Sequence, residues 1–359
     1  MRVPRYEHRS LANVLPSLAS ALGDSAQPNT LQLPDLSQAV LLVVDGLGYE
    51  QLDQAQDHIE HLNIGGHEPL DAAFPTTTPV GLATLTLAMT PGVHGFVGAT
   101  FELPDFERVL NPLHWESEPA PEAVQPESNV FSRIAGIEVR SHGPSAYATS
   151  GMTRTLLHKA EQCPYDVFSA GVIEPHDSRL DYVYLPQLDK VGHTDGPMSS
   201  PWLKTLREID RLVGQIRKRL PASAAVFVTG DHGMVSIDDV RRINVDGPEF
   251  QAAVRLMAGE PRMRHLYTPE PDRVCDQWQQ LLGDRARVLT RDAALDAGLF
   301  GAFDEFVTDR IGYVIAIASE GWALTSRDVD PRVSGLRGLH GGVSAAELLV
   351  PALVLPGVA

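Results

Sequence analysis

Three short apolar runs in this chain stop abruptly at acidic residues, and this pattern restricts the fold more than any other feature. Leu41-Leu42-Val43-Val44 ends at Asp45-Gly46-Leu47-Gly48, and Tyr182-Val183-Tyr184-Leu185 leads into Asp189-Lys190-Val191-Gly192-His193. Val226-Phe227-Val228-Thr229 ends at Gly230-Asp231-His232-Gly233-Met234. Short β-branched runs of this kind are strands buried on both faces, and open α/β sheets collect ligands just beyond the carboxyl ends of such strands. The repeating order of apolar run, turn and amphipathic stretch predicts an α/β fold, with a mostly parallel central sheet sandwiched by helices. Strands are expected at 39–44, 166–169, 182–185, 224–229 and 352–355, with a helix over 201–220.

Two stretches interrupt that order. Residues 104–128 are rich in Pro and Glu and show little periodicity. Residues 243–330 separate the Asp231-His232 pair from the last histidine motif, Gly338-Leu339-His340-Gly341-Gly342. Within them 264–268 and 312–318 read as strands and 271–282 as a helix, so a small α+β cap is expected there. The organisation read from the sequence is a core of residues 1–242 and 331–359 with a cap subdomain of 243–330 inserted into it.

Composition limits the partners. With 29 Lys plus Arg against 46 Asp plus Glu, the net charge of −17 opposes any general affinity for a nucleic-acid backbone. The basic run Arg217-Lys218-Arg219 closes the apolar stripe Trp202, Leu206, Ile209, Val213, Ile216 and reads as the last turn of a helix. Two distant cysteines, Cys163 and Cys275, make no disulfide framework. The first 22 residues contain no unbroken apolar segment, and no run of about 18 apolar residues occurs elsewhere. These features give a soluble, cytoplasmic protein with a small-molecule partner, no nucleic-acid polymer and no membrane; the oligomeric state is not legible.

Asp189 and His193 stand four apart, which places both side chains on one face of a helix. Together with Asp45, Asp231, His232 and His340 they make three carboxylates and three imidazoles. That donor set suits two zinc ions with open positions for a substrate, and manganese satisfies it as well. A nucleophile is available in Phe74-Pro75-Thr76-Thr77-Thr78-Pro79, just before an apolar helical stretch. A threonine there either caps the helix or, beside a metal that lowers its pKa, attacks an electrophile held at the helix N-terminus.

In their order along the chain, Asp45, the Pro75–Thr78 segment, Pro91-Gly92-Val93-His94-Gly95, Asp189-Lys190-Val191-Gly192-His193, Gly230-Asp231-His232-Gly233-Met234 and His340 resemble the alkaline phosphatase superfamily. The likeness is greatest to its nucleotide pyrophosphatase/phosphodiesterase branch and spans about residues 40–355. The resemblance implies an alkaline phosphatase-like fold and cleavage of phosphodiester or pyrophosphate bonds in a small nucleotide-like phosphoester through a phosphothreonine intermediate. It places the nucleophile on Thr78, with Thr77 as the alternative. It also implies one zinc on Asp189, His193 and His340 and a second on Asp45, Asp231 and His232.

Tyr184 matches a family tyrosine that stacks on a nucleobase; as a residue of this sequence it reads equally as a core aromatic. Three features depart from the family pattern. Pro79-Val80-Gly81 follows the nucleophile, a second stacking aromatic is missing, and Ala99 stands where the family has an asparagine. His94 reads as a turn histidine. A sulfatase is excluded, because neither cysteine opens a C-x-P-x-R segment. A phosphomonoesterase or a phosphonoacetate-type C–P hydrolase fits the same donor set, with Arg262, Arg264 and Arg337 available for a dianion. A phosphoglycerate mutase of the same architecture lacks its serine here, and a non-catalytic metal-dependent binding module is the alternative outside enzymes.

Overall fold

A computed structural model describes residues 2–115 and 118–359. Met1 lies outside the described residues, as do Glu116 and Ser117 of the Pro- and Glu-rich stretch. In chain order the elements that position the site are β1 (Gln38–Val44), α1 (Thr78–Leu87), β2 (Glu138–His142), β3 (Glu161–Gln162), β4 (Arg179–Leu185), α2 (Gln187–Asp195), α3 (Ser200–Arg217) and β5 (Ala225–Thr229). They are followed by β6 (Leu256–Glu260), β7 (Met263–Tyr267), α4 (Pro271–Leu282), β8 (Ala286–Thr290), β9 (Val314–Ala318) and β10 (Leu353–Pro356).

The central sheet has the order β10-β5-β1-β4-β2-β3, parallel throughout except for the antiparallel edge strand β10. Every residue of β1 is buried, and successive side chains enter different cores. Ala39, Leu41 and Val43 pack into one apolar cluster and Val40, Leu42 and Val44 into the other. This is the two-residue period of a strand with helices over both faces. On the second face α3 buries Trp202, Leu206, Ile209, Val213 and Ile216, and Ser199 caps its start by accepting the Trp202 N–H at 3.3 Å. The fold is therefore the expected α/β sandwich.

One strand assignment needs correction, and one strand was not expected. Residues 166–169 are loop, and the sheet instead contains β2, which pairs with β4 from Glu138↔Arg179 to His142↔Val183. Glu138-Val139-Arg140-Ser141-His142 is too polar to read as a buried strand. It is accommodated because Arg140 pairs with Glu138 and Glu161, and His142 meets Asp181 at 2.9 Å.

Residues 243–330 carry a four-stranded antiparallel sheet in the order β6-β7-β9-β8, covered by α4 around Val274, Trp278 and Leu282. Among the described residues no helix is long and apolar enough to cross a membrane.

Candidate metal centre and nucleophile

β5, β1 and β4 are neighbours, and all three deliver acidic residues from their carboxyl ends. β1 lies between strands that the chain reaches in opposite directions, so the crevice above it is a topological switch point. Asp45 follows β1 directly, and Asp231 and His232 follow β5. Asp189 and His193 lie one turn apart on α2, and His340 enters from a loop after Gly338–Leu339. Close backbone approach makes this convergence feasible. A Cβ on Gly81 would lie 2.5 Å from the Asp231 carbonyl oxygen, so α1 can pack against the Asp231 loop only with glycine there.

The six predicted ligands come together. Asp189, His193 and His340 form one group whose candidate ligand atoms lie within 4.8 Å of one another, and Asp45, Asp189 and His232 form a second. Asp231 abuts both His232, at 3.6 Å, and Gly46, whose N–H it accepts at 3.1 Å. The grouping differs from the expected one in that Asp189 faces both sets.

Each imidazole has a defined tautomer. Nδ1 of His193 lies 2.8 Å from the Gly338 carbonyl, Nδ1 of His340 lies 2.9 Å from that of Thr76, and Nδ1 of His232 lies 3.0 Å from that of Gly233. A carbonyl only accepts, so each Nδ1 donates and each Nε2 is left as a bare lone pair. Those lone pairs converge: Nε2 of His193 and Nε2 of His340 are 3.2 Å apart, and the rings of His232 and His340 stack at 3.8 Å. Facing acceptors repel, and a cation between them removes the repulsion. Asp189 Oδ1 and Asp231 Oδ2 are buried without a hydrogen-bond partner, as a ligand oxygen would be.

The electrostatics agree. Burial pushes the carboxyls of Asp45 and Asp189 well above the ordinary range, and the neighbouring carboxylates push them further. Burial raises Asp231 to about 6. Burial also lowers His193 to about 4 and holds His340 well below its ordinary value, with His232 adding to both effects. Without a cation, the cluster holds neutral imidazoles and carboxyls that resist ionising together. The donor set, the orphaned oxygens and the tautomers fit divalent cations.

The three threonines point in three directions. Thr76 Oγ1 donates to Gly342 O at 2.9 Å and accepts the Gly341 N–H at 3.0 Å. The Thr77 hydroxyl is turned toward Glu260, whose charged form it favours. Only Thr78 Oγ1 faces the cluster, 3.2 Å from His232 Nε2 and 3.4 Å from Asp45 Oδ1. Helix capping does not explain the motif, because the N-cap residue Thr77 makes no capping hydrogen bond with its side chain.

Tyr184 donates its hydroxyl to Asp45 Oδ2, so it orients a ligand while its ring lines the adjoining cleft. His94 is a buried turn histidine, with Nε2 2.9 Å from Thr84 Oγ1 and Nδ1 accepting the Phe96 N–H. Two of the arginines considered for a dianion are otherwise engaged: Arg262 is in a buried bidentate pair with Glu347, and Arg264 is bonded to Leu324 O and Asp330. Arg337 is exposed, and its backbone N–H meets His193 O.

Sequence reasoning missed Glu260, at the end of β6. It is buried, it lies 3.4 Å from His340 Nδ1, and its Oε1 has no partner. The only sequence signal was an acidic residue ending an apolar strand, the pattern that marked Asp45. The cleft beside Thr78 was also missed. Its walls come mainly from residues 112–164, with Val333 and Leu336, rather than from the cap expected at 243–330.

The chain matches the family described as type I phosphodiesterase / nucleotide pyrophosphatase over residues 39–342, and it belongs to that family. Similar proteins include ectonucleotide pyrophosphatase/phosphodiesterase family member 3 of Rattus norvegicus, 22% identical over 286 residues, which are 71% of this chain and 32% of that protein. The bis(5'-adenosyl)-triphosphatase of Bos taurus is 27% identical over 154 residues, 40% of this chain and 31% of that protein. The chain thus spans about a third of the length of the curated relatives it matches. Murine ectonucleotide pyrophosphatase/phosphodiesterase 5 superposes with a TM-score of 0.66 at 17% identity, covering 88% of this chain and 87% of that one, which shows the alkaline phosphatase-like fold. An inactive variant of the murine protein is solved in complex with AMP.

Proposed function

We propose that this chain hydrolyses phosphodiester or pyrophosphate bonds of a small organic phosphate, with Thr78 as nucleophile and Asp45, Asp189, His193, Asp231, His232 and His340 as the ligands of two divalent metal ions. One observation carries the reading: Thr78 Oγ1, at the first turn of α1, lies within 3.4 Å of both Asp45 and His232, beside three converging Nε2 lone pairs. Two zinc ions, or manganese, would neutralise phosphoryl oxygens and lower the pKa of a hydroxyl or water at the site. The α1 N-terminus supplies backbone N–H groups for a phosphoryl oxygen.

Thr78 Oγ attacks phosphorus, the Oγ–P bond forms as the bond to the leaving oxygen breaks, and the hydroxyl proton is released. Water then attacks the phosphothreonine, returning Thr78 and freeing the phosphate product. Asp45 is held for this by Tyr184, and His340 by the Thr76 carbonyl. We further propose that residues 1–242 and 331–359 form the catalytic core and 243–330 an inserted lobe, which reaches the site through Glu260. The relatives' names make a nucleotide ester one substrate to test.

The experiment compares bis-p-nitrophenyl phosphate with p-nitrophenyl phosphate on zinc-loaded protein, with Thr78→Ala as the blank. Faster diester cleavage that disappears in the variant is expected. Preferential monoester cleavage would move the assignment to a phosphomonoesterase, and no cleavage of either would favour a binding role.

A further inference from the structure

The turn between β6 and β7 consists of Pro261 and Arg262, and Glu260 pairs with Met263 to close it. The tip of this hairpin meets the loop that carries His340 at two points. Arg262 is paired with Glu347, whose carboxylate accepts the Gly342 N–H at 2.9 Å. Glu260 stands against His340 itself, with Oε2 3.4 Å from Nδ1. A Cβ on Gly341, at φ +119°, would lie 2.7 Å from the Glu260 carboxyl carbon, so the carboxylate can seat there only beside glycine.

In a purely structural role Glu260 is a poor choice. It is buried, its Oε1 has no hydrogen-bond partner, and among the described residues it forms no ion pair with lysine or arginine, since Arg262 is taken by Glu347 and Arg264 by Asp330. An uncompensated buried carboxyl costs stability, and an apolar side chain of similar size would not. What Glu260 touches belongs to the site. His340 Nδ1 donates to Thr76 O at 2.9 Å, and the carboxylate lies beside that same nitrogen as a charge neighbour. A carboxylate in this place makes the opposite ring nitrogen a stronger donor to a metal and keeps the ring from turning. The Thr77 hydroxyl, one residue before the nucleophile, is turned toward the same carboxylate. Glu260 thus joins the segment of a metal ligand to the segment of the nucleophile, which are far apart in the chain.

We propose that Glu260 is a positioning residue for the reaction: its carboxylate holds the His340 imidazole, with Nε2 toward the metal, against the segment that carries Thr78. The inference rests on the two-metal reading above. Through Glu260 the four-stranded antiparallel sheet takes part in setting the geometry of the metal centre.

The test loads metal-free protein with cobalt(II), whose visible bands report the geometry of its ligands, and follows affinity by calorimetric titration. In Glu260→Leu one ion should bind about 10–100-fold more weakly and the bands should shift, while the melting temperature of the metal-free protein holds or rises. The kcat on bis-p-nitrophenyl phosphate at saturating cobalt should fall at least about tenfold. Glu260→Gln keeps the shape and an acceptor oxygen but not the charge, so its losses should be smaller than those of Glu260→Leu, with the bands still shifted. The glutamine variant decides the matter if the leucine variant does not fold.

Wild-type affinity and bands in Glu260→Gln, or a Glu260→Leu variant that loses stability alone, would overturn the inference and leave the two-metal reading standing. Failure of the wild-type protein to bind cobalt would sink both.

Discussion

His193 and His340 face each other through Nε2 atoms 3.2 Å apart, each with its Nδ1 committed to a backbone carbonyl. Two bare lone pairs at that separation are unfavourable alone and favourable around a cation. The chain is therefore expected to bind two zinc ions per molecule. Replacement of His340 by Gln should weaken one of them at least about tenfold while circular dichroism stays unchanged. Calorimetric titration of metal-free protein decides this, and a single unaltered site in the variant would refute the assignment of His340.

Metal affinity should depend on pH through the carboxyls. Asp231 is raised to about 6 by burial, and Asp45 and Asp189 are raised as well. A raised carboxyl holds its proton at lower pH, and a metal must displace it, so binding weakens as pH falls through about 6. His193, lowered to about 4, adds little in this window. Zinc should bind at least about tenfold more weakly at pH 5 than at pH 7.5, with protons released to the buffer on binding. Equal affinity at both values would contradict the raised carboxyls.

The buried Arg262–Glu347 pair ties the four-stranded antiparallel sheet to the loop carrying His340. Arg262 Nε and an outer guanidinium nitrogen meet the two carboxylate oxygens at 2.9 and 2.7 Å, and Glu347 also accepts the Gly342 N–H. Burial alone would raise the Glu347 carboxyl, but the Arg262 charge and hydrogen bonds outweigh it and leave it lowered. Removing one partner strands a buried charge, so Arg262→Met should cost about 3–5 kcal/mol in urea unfolding. A loss below about 1 kcal/mol would show that the loop repacks without the pair.

His94 predicts a signature in acid. Burial, with the Arg310 charge next, lowers its pKa to about 3. A histidine depressed in the folded state binds its proton preferentially when unfolded, so stability is lost as pH falls below about 6.5. Between pH 7 and pH 5 the wild-type protein should lose about 2 kcal/mol more than His94→Gln does. Identical slopes for the two proteins would contradict a neutral buried His94.

How much of this was legible in the sequence follows from how local each signal is. Asp45, Asp231 and His232 lie within three residues of an apolar strand end, and Asp189 and His193 one helical turn apart, so short-range spacing sufficed. β2 was hidden because its polar residues are satisfied by neighbours distant in sequence: His142 by Asp181 and Arg140 by Glu161. Glu260 and Arg262 were hidden for the same reason, since Glu260 meets Thr77 and His340, and Arg262 meets Glu347, all far away in sequence. Most of the cleft walls fall in residues 141–164, a run of short elements and loops where side-chain direction cannot be read from spacing. The direction of each threonine was likewise undetermined until Gly342 and Glu260 were placed beside Thr76 and Thr77.

The central claim is that Thr78 becomes phosphorylated during turnover. Acid quench of zinc-loaded protein during diester hydrolysis, followed by mass spectrometry of the peptide containing Thr76, Thr77 and Thr78, tests it directly. The prediction is a phosphoryl or alkylphosphoryl adduct on Thr78 that is absent from Thr78→Ala and retained in Thr77→Ala. An adduct on Thr77, or rapid turnover by Thr78→Ala, would contradict it.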